Sequence, residues 1–312
     1  MKPLARLVVI LGPTASGKSA LAVWLAEELG GEVLACDSTQ VYRHFEIGTG
    51  KIPLADRHGI PHHLLNLIEP SEVFTAGEYR RRALEVLKDV KVHQRLPILT
   101  AGTGLYLRAL LEGLADAPIR SEELRARLRV SVERRGAAYL HRLLSRLDPE
   151  AAARIARRDT QKVIRALEIR LLAGKAVGEI HRSGRKGLEG YQVHKIGLAP
   201  PRAQLYARIN ARVEAMLRAG WLEEVKALLA QGVPATAKPF EFIGYTELRQ
   251  HLEGRLSHRE AVKQIQQATR RYAKRQITWF RRESGVEWFD GFGNAPEVQK
   301  AVLAHLTKSN DG

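Results

Sequence analysis

The stretch Gly12-Pro13-Thr14-Ala15-Ser16-Gly17-Lys18-Ser19 constrains the fold of this chain more than any other. It completes the pattern G-x-x-x-x-G-K-[ST], follows an apolar β-type run at residues 7–11 and precedes a helical pattern over residues 20–29. A strand, a glycine-rich loop and a helix in that order form a phosphate-binding loop. The glycines let backbone amides turn toward an anion, the helix N-terminus adds its positive end, and Lys18 supplies a point charge. Ser19 is placed to support a Mg2+ ion. The loop alone does not distinguish ATP from another phosphate ligand.

Strand-type runs recur at 32–36 and 96–100, with helical patterns at 18–29, 76–90 and 104–112. This alternation predicts an α/β fold, a P-loop NTPase-like core whose parallel sheet is flanked by helices. From 113 to 190 the strand signal stops, and the sequence reads as short helices with caps at Ser121, Asp159 and Thr160 and stops at Gly136 and Gly174. This stretch is expected to be an all-helical insertion domain, ending in the flexible "HRSGRKGLEG". Residues 1–112 and 191–312 then form the core and C-terminal helices, with a strand at 191–199 and another at 286–289. Helical patterns follow in "LYARINARVEAMLRAGWLEEVKALLAQG" and "REAVKQIQQATRRYAKRQITWFRR".

Charge separates these regions. Residues 1–112 carry 13 Lys/Arg and 12 Asp/Glu, residues 113–190 carry 18 and 10, and residues 259–282 carry 8 and one. The net charge of +16 is therefore concentrated outside the loop-bearing segment, as a polyanionic partner such as nucleic acid requires. A solvated arginine-rich surface is the alternative. No run approaches the roughly 18 apolar residues of a membrane span. The early strand leaves no room for a signal peptide, so a cytoplasmic protein is expected. The single cysteine, Cys36, fits a reducing compartment and, beside Val33, Leu34 and Ala35, reads as a small core residue.

Asp37 follows the second strand, where a doubly wound sheet opens to its ligand crevice. It reads equally as a general base facing the phosphate loop or as a turn cap. The strand at 96–100 ends in Thr-Ala-Gly-Thr-Gly with no carboxylate, which weakens an ATP-hydrolysis reading. His58, His62 and His63 lack a Cys or acid to complete a metal set, and Trp221, Trp279 and Trp288 are expected in the core.

The motifs "GPTASGKS", "DSTQVY…IGTGK", "AGTGLYLRALLEG", "TQKVIRALEI", "FIGYTE" and "AKRQITWFR" occur in this order. Jointly they resemble the tRNA dimethylallyltransferases, or tRNA isopentenyltransferases, over nearly the whole chain. The resemblance implies transfer of a dimethylallyl group from dimethylallyl diphosphate to N6 of the adenine 3′-adjacent to the anticodon. It implies that the loop, residues 12–19 from Gly12 through Pro13, Thr14, Ala15, Ser16, Gly17, Lys18 and Ser19, binds the diphosphate, with Mg2+ as cofactor. Arg208 and Arg212 are the candidate leaving-group arginines, Arg212 slightly preferred. Asp37 takes the base role, and Thr14 and Thr103 position the reacting groups.

By the same resemblance, tRNA contacts fall on Asp37, Ser38, Thr39 and Gln40, on Thr103 and Arg125, on Gln161, Lys162, Val163, Ile164 and Arg165, and on Phe242, Ile243, Gly244, Tyr245, Thr246 and Glu247. The chain departs from the family pattern at Ala101, where many members have glycine, and at Gly50-Lys51-Ile52-Pro53, where Lys-Pro is usual. A monomer is expected, since no heptad seam is present. The competing readings are a P-loop nucleotide or small-metabolite kinase, with Asp37 as acceptor base, and a noncatalytic RNA-binding P-loop protein.

Overall fold

The computed structural model describes residues 4–182 and 184–308; Ser183, within the stretch read as a flexible link, lies outside them. In chain order the elements are β1 (Ala5–Leu11), α1 (Lys18–Leu29), β2 (Gly31–Cys36), β3 (His62–His63), α2 (Ala76–Val92), β4 (Leu96–Ala101) and α3 (Gly104–Leu111). Helices α4 (Glu122–Arg135), α5 (Ala137–Leu147), α6 (Pro149–Arg154), α7 (Thr160–Ala173) and α8 (Val177–Arg182) follow. The chain then returns through β5 (Tyr191–Leu198), α9 (Arg202–Arg218), α10 (Trp221–Ala230), α11 (Tyr245–Leu252), α12 (His258–Phe280), β6 (Val286–Phe289) and α13 (Pro296–Lys308). Two compact units result: Met1–Leu110 with Glu189–Gly312, and Leu111–Leu188.

The first unit is built on a parallel sheet of six strands among the described residues, in the order β3-β2-β4-β1-β5-β6. The apolar runs at residues 7–11 of β1 and 33–36 of β2 suit strands covered on both faces. Val8 and Ile10 of β1 pack with Leu21 and Leu25 of α1 and with Val298, Val302 and Leu306 of α13. Each such side chain contributes roughly 1.5–3 kcal/mol by leaving water. Because β4 lies between β2 and β1, the loops after all three strands open side by side at one edge of the sheet. That edge is where an open α/β sheet binds its ligands.

The α/β class and five of the six strands match the sequence pattern. The two-residue β3 is too short to carry a periodic signal. The run beginning "LYARIN" is two helices, because Gly220 at φ 96° ends the regular turn and caps α10. Two tryptophans correct the expectation of core positions. Trp221 is buried, but Trp279 and Trp288 are each 37% exposed. Their rings instead cover Gly104 and Gly197, where a Cβ would stand 2.0 and 2.4 Å from them.

The second unit is helical. Its core holds Leu128, Leu140, Leu144, Val163, Ile164 and Leu167. Ser121 Oγ accepts from Leu124 N–H, Asp148 Oδ1 from Ala151 N–H, and Asp159 Oδ1 from Lys162 N–H, so three helices begin on side-chain caps. Glu168 is fully buried and receives Arg125 in a two-pronged pair at 2.9 and 2.8 Å, Arg165 at 2.5 Å and the Ser121 N–H at 2.7 Å. Burial alone would raise this carboxyl, but the arginines and the amide outweigh it and hold it at about 2.

A carboxyl depressed on folding stabilises above its unfolded range near 4.5, and that stabilisation is lost as pH falls toward 2. Glu168→Ala should lower stability at pH 7 by about 3–5 kcal/mol, since two arginines lose a buried partner. Thermal unfolding should also show a shallower acid loss between pH 4.5 and 2 in the variant than in the parent protein.

Candidate active site

The loop after β1 turns through Gly12 at φ 154°, Ala15 at φ 63° and Gly17 at φ 89° before α1 starts at Lys18. A Cβ on Gly17 would stand 2.8 Å from the Gly293 nitrogen, so the loop needs a glycine where the chain before α13 crosses it. Gly293 N–H donates to the Ser16 carbonyl at 2.9 Å. Lys18 Nζ donates to the Gly12 and Pro13 carbonyls, both at 2.9 Å. Burial lowers this ammonium to about 8; Asp37 opposes the shift and Arg212 adds to it. Ser16 Oγ is buried without a hydrogen-bond partner, an orphaned hydroxyl inside the loop.

Asp37 stands directly after β2. Its Oδ1 accepts from Thr39 N–H at 2.9 Å and from the Thr39 hydroxyl at 2.8 Å. The turn-cap and base readings are therefore both compatible with the site: one oxygen holds the turn and Oδ2 faces Gly102, where a Cβ would intrude to 2.2 Å. The Cys36 carbonyl accepts from Gly102 N–H at 3.0 Å and Thr103 N–H at 2.9 Å, and Thr103 Oγ1 accepts from Ser38 N–H at 2.9 Å. The ends of β2 and β4 are thus tied together around Asp37. Buried Cys36, whose thiol burial pushes up to about 12, is inert behind them.

The arginines differ. Arg208 donates to Asn294 Oδ1 at 2.7 Å and lies 4.6 Å from the Phe292 ring centre. Among the described residues Arg212 has no hydrogen-bond or ion-pair partner, and its guanidinium fills the space beside Gly50, where a Cβ would stand 2.1 Å from Nη2. Burial and the field of Arg208 lower Arg212, while Asp37 raises it. A partly buried guanidinium with no bound carboxylate has donors left to offer an anion. For Mg2+, the exposed Ser19 hydroxyl at the first turn of α1 offers a hard oxygen donor. No group of three or more His, Cys, Asp or Glu among the described residues is arranged for a metal; His63 pairs instead with Glu32 at 2.7 Å.

Several residues named from sequence as RNA contacts are engaged within the protein itself. Val163 and Ile164 point into the helical core, and Arg125 and Arg165 hold Glu168. Gln161 and Lys162 are exposed on the first turn of α7. Tyr245 is buried, with its hydroxyl donating to Glu224 at 2.5 Å. Gly244 N–H donates to Glu247 at 2.6 Å, and the Thr246 hydroxyl to the Phe240 carbonyl at 2.8 Å. The "FIGYTE" side chains from Tyr245 onward are therefore mainly a helix start; Phe242 and Ile243 are half-buried. Gln40 braces the Thr49 and Gly50 carbonyls at 3.3 Å each.

Sequence reasoning missed Tyr272 and Gln276 of α12. The Tyr272 hydroxyl donates to the Gly102 carbonyl at 3.2 Å, Gln276 Nε2 donates to the same carbonyl at 2.8 Å, and Gln276 Oε1 accepts from Thr14 N–H at 2.7 Å. The available signal was a glutamine on the apolar face of that helix. The Phe292-Gly293-Asn294 brace had no signal beyond its glycines.

The parallel sheet, the glycine loop opening a helix and the lysine at its mouth define a P-loop phosphate-binding protein. The model of the IPP transferase family matches residues 40–283, and the chain belongs to that family. A tRNA dimethylallyltransferase of Solibacter usitatus (strain Ellin6076) is 51% identical over 302 residues, covering 97% of this chain and 98% of its own. One of Koribacter versatilis (strain Ellin345) is 50% identical over 288 residues, covering 92% and 94%. The solved full-length tRNA isopentenylpyrophosphate transferase of Bacillus halodurans superposes with a TM-score of 0.71 at 37% identity, covering 98% of each chain. A eukaryotic dimethylallyltransferase solved acting on tRNA gives 0.84 at 27% identity, covering 98% of this chain and 79% of that one.

Lys18 offers a direct check on the loop's charge. The Lys18→Met variant should bind inorganic pyrophosphate more weakly than the parent at pH 7. Above pH about 8 the parent's ammonium loses its proton, so the ratio of the two dissociation constants should shrink by up to about tenfold per pH unit. Calorimetric titration at pH 7, 8 and 9 measures it.

Proposed function

We propose that this chain transfers the dimethylallyl group of dimethylallyl diphosphate to N6 of the adenine on the 3′ side of the anticodon in tRNA. The observation that carries this reading is the convergence of Lys18, the unpaired Arg212 and Asp37 on the crevice after β1, β2 and β4. The names of the relatives and their coverage support it. Among the described residues no helix is long and apolar enough to cross a membrane, and a monomer in the cytoplasm completes the reading.

In the reaction the primary carbon of the prenyl group leaves its diphosphate oxygen and bonds to N6. The pyrophosphate departs with the electron pair, and one N6 proton goes to Asp37. Negative charge grows on the leaving group, so fixed cations stabilise the transition state more than the ground state. Lys18, the Ala15 and Gly17 amides and Arg212 serve this purpose. The Thr14 and Ser16 amides are already engaged, with Gln276 and the Pro13 carbonyl. Ser19 and diphosphate oxygens would hold Mg2+, which supplies further positive charge to the departing group. Asp37 keeps Oδ2 outside its turn bonds, which suits it to receive the proton, and Thr103 fixes the peptide after it.

The adenine must leave its stack to reach this crevice, which an anticodon loop permits more cheaply than a duplex. Contacts to the RNA are assigned to residues 37–40 and Thr103, to Phe242 and Ile243, and to Gln161 and Lys162. The excess charge of Arg125 and Arg165 over Glu168 attracts phosphates.

Transfer of label from dimethylallyl diphosphate into unmodified tRNA tests the reading, with labelled ATP as the control donor. Asp37→Ala should slow transfer by about 10²–10⁴-fold, with a far smaller loss of tRNA affinity because the other RNA contacts remain. Arg212→Ala should lower kcat by about 10²–10³-fold, and Arg208→Ala by much less. A protein that ignored the allylic donor while phosphorylating an acceptor from ATP would sink it.

A further inference from the structure

Helix α12 buries Ala261, Ile265, Ala273, Gln276 and Phe280 along one face. Four of these are apolar. The glutamine is the exception, and desolvating a carboxamide there costs about 1–3 kcal/mol unless both ends are hydrogen-bonded. Both ends are bonded, to backbone groups of two different loops. Oε1 accepts from Thr14 N–H in the phosphate loop at 2.7 Å, and Nε2 donates to the Gly102 carbonyl after β4 at 2.8 Å. The partners fix the orientation of the amide, since an N–H needs the oxygen and a carbonyl needs the nitrogen. Tyr272, one turn earlier, donates a second hydrogen bond to the same carbonyl at 3.2 Å.

The two loops joined this way hold opposite halves of the chemistry. Thr14 belongs to the diphosphate cradle, and Gly102 lies against Asp37 Oδ2. Pro13 has no N–H, so Thr14 supplies the first amide after Gly12, and tying it to α12 fixes the plane from which the left-handed Ala15 follows. We infer that Gln276 is a positioning residue for the transfer reaction, a strut that sets the separation between the cradle and the base. This rests on the proposed function for its reaction, and on the hydrogen bonds for its geometry. A displacement of about 1 Å between reacting groups costs on the order of 10²-fold in rate. Hence the strut acts on kcat and on the diphosphate, while RNA affinity is left alone.

Two variants test it. Gln276→Met keeps the volume and loses both bonds. Gln276→Glu keeps the acceptor for Thr14, loses the donor to Gly102 when ionised, and regains it when protonated. Thermal unfolding, pyrophosphate calorimetry, tRNA affinity and kcat for prenyl transfer are measured on each. The expected result for Gln276→Met is a folded protein with kcat at least about tenfold lower, tRNA affinity within about threefold, and weaker pyrophosphate binding. For Gln276→Glu, kcat relative to the parent should rise as pH is lowered, because protonation of the new carboxyl restores the donor.

A folded Gln276→Met with parental kcat and pyrophosphate affinity overturns the inference. If the methionine variant does not fold, a flat pH ratio in Gln276→Glu does so. Should the parent protein transfer no label, the functional reading fails separately, and the pyrophosphate affinities still decide the strut.

Discussion

The site depends on keeping two cations and one carboxylate close without letting them collapse into an ordinary ion pair. Lys18 is occupied by backbone carbonyls, Asp37 by the Thr39 turn, and Arg212 is confined in the space that Gly50 leaves. Lys18 and Asp37 are tethered by local backbone, and Arg212 is held by the space around it. A direct ion pair between Arg212 and Asp37 would cancel the charge of both groups. Like charges held near one another cost free energy, and the parallel sheet behind them offsets it with buried Leu, Ile and Val side chains.

The geometry follows from strand order. Insertion of β4 between β1 and β2 places three loops in a row, and short backbone hydrogen bonds lock the last two together at the Cys36 carbonyl. Glycine appears where two such loops meet, at Gly102 against Asp37 and at Gly17 against Gly293. At either position a methyl group would force the two loops apart. Ala101 is the last, buried residue of β4, and the tight approach to Asp37 is made by Gly102.

Much of this was legible in the sequence. Local patterns carried the strands, the phosphate loop, Asp37 at a strand end and the caps at Ser121 and Asp159, because each depends on neighbours a few residues away. The misses share a different cause. Gln276 and the Gly293 brace meet the phosphate loop from far along the chain, and a single sequence holds no trace of which distant residue lands there. The exposed Trp279 and the buried Tyr245 show the same limit, since a tryptophan over a glycine and a tyrosine in the core look alike as letters. Motif matching also conflated two duties in "TQKVIRALEI": its Val163 and Ile164 hold the helical unit together, whereas Gln161 and Lys162 face solvent.

The hydrogen bond from Gly293 to Ser16 has a consequence for how the molecule comes into being. The two ends of this bond, Ser16 and Gly293, stand 277 residues apart along the chain. Closing so long a connection is entropically slow compared with forming a helix. A nascent chain can therefore complete its helices and most of its sheet while the cradle is still loose. The braced form of the cradle is thus among the last parts of the fold to set.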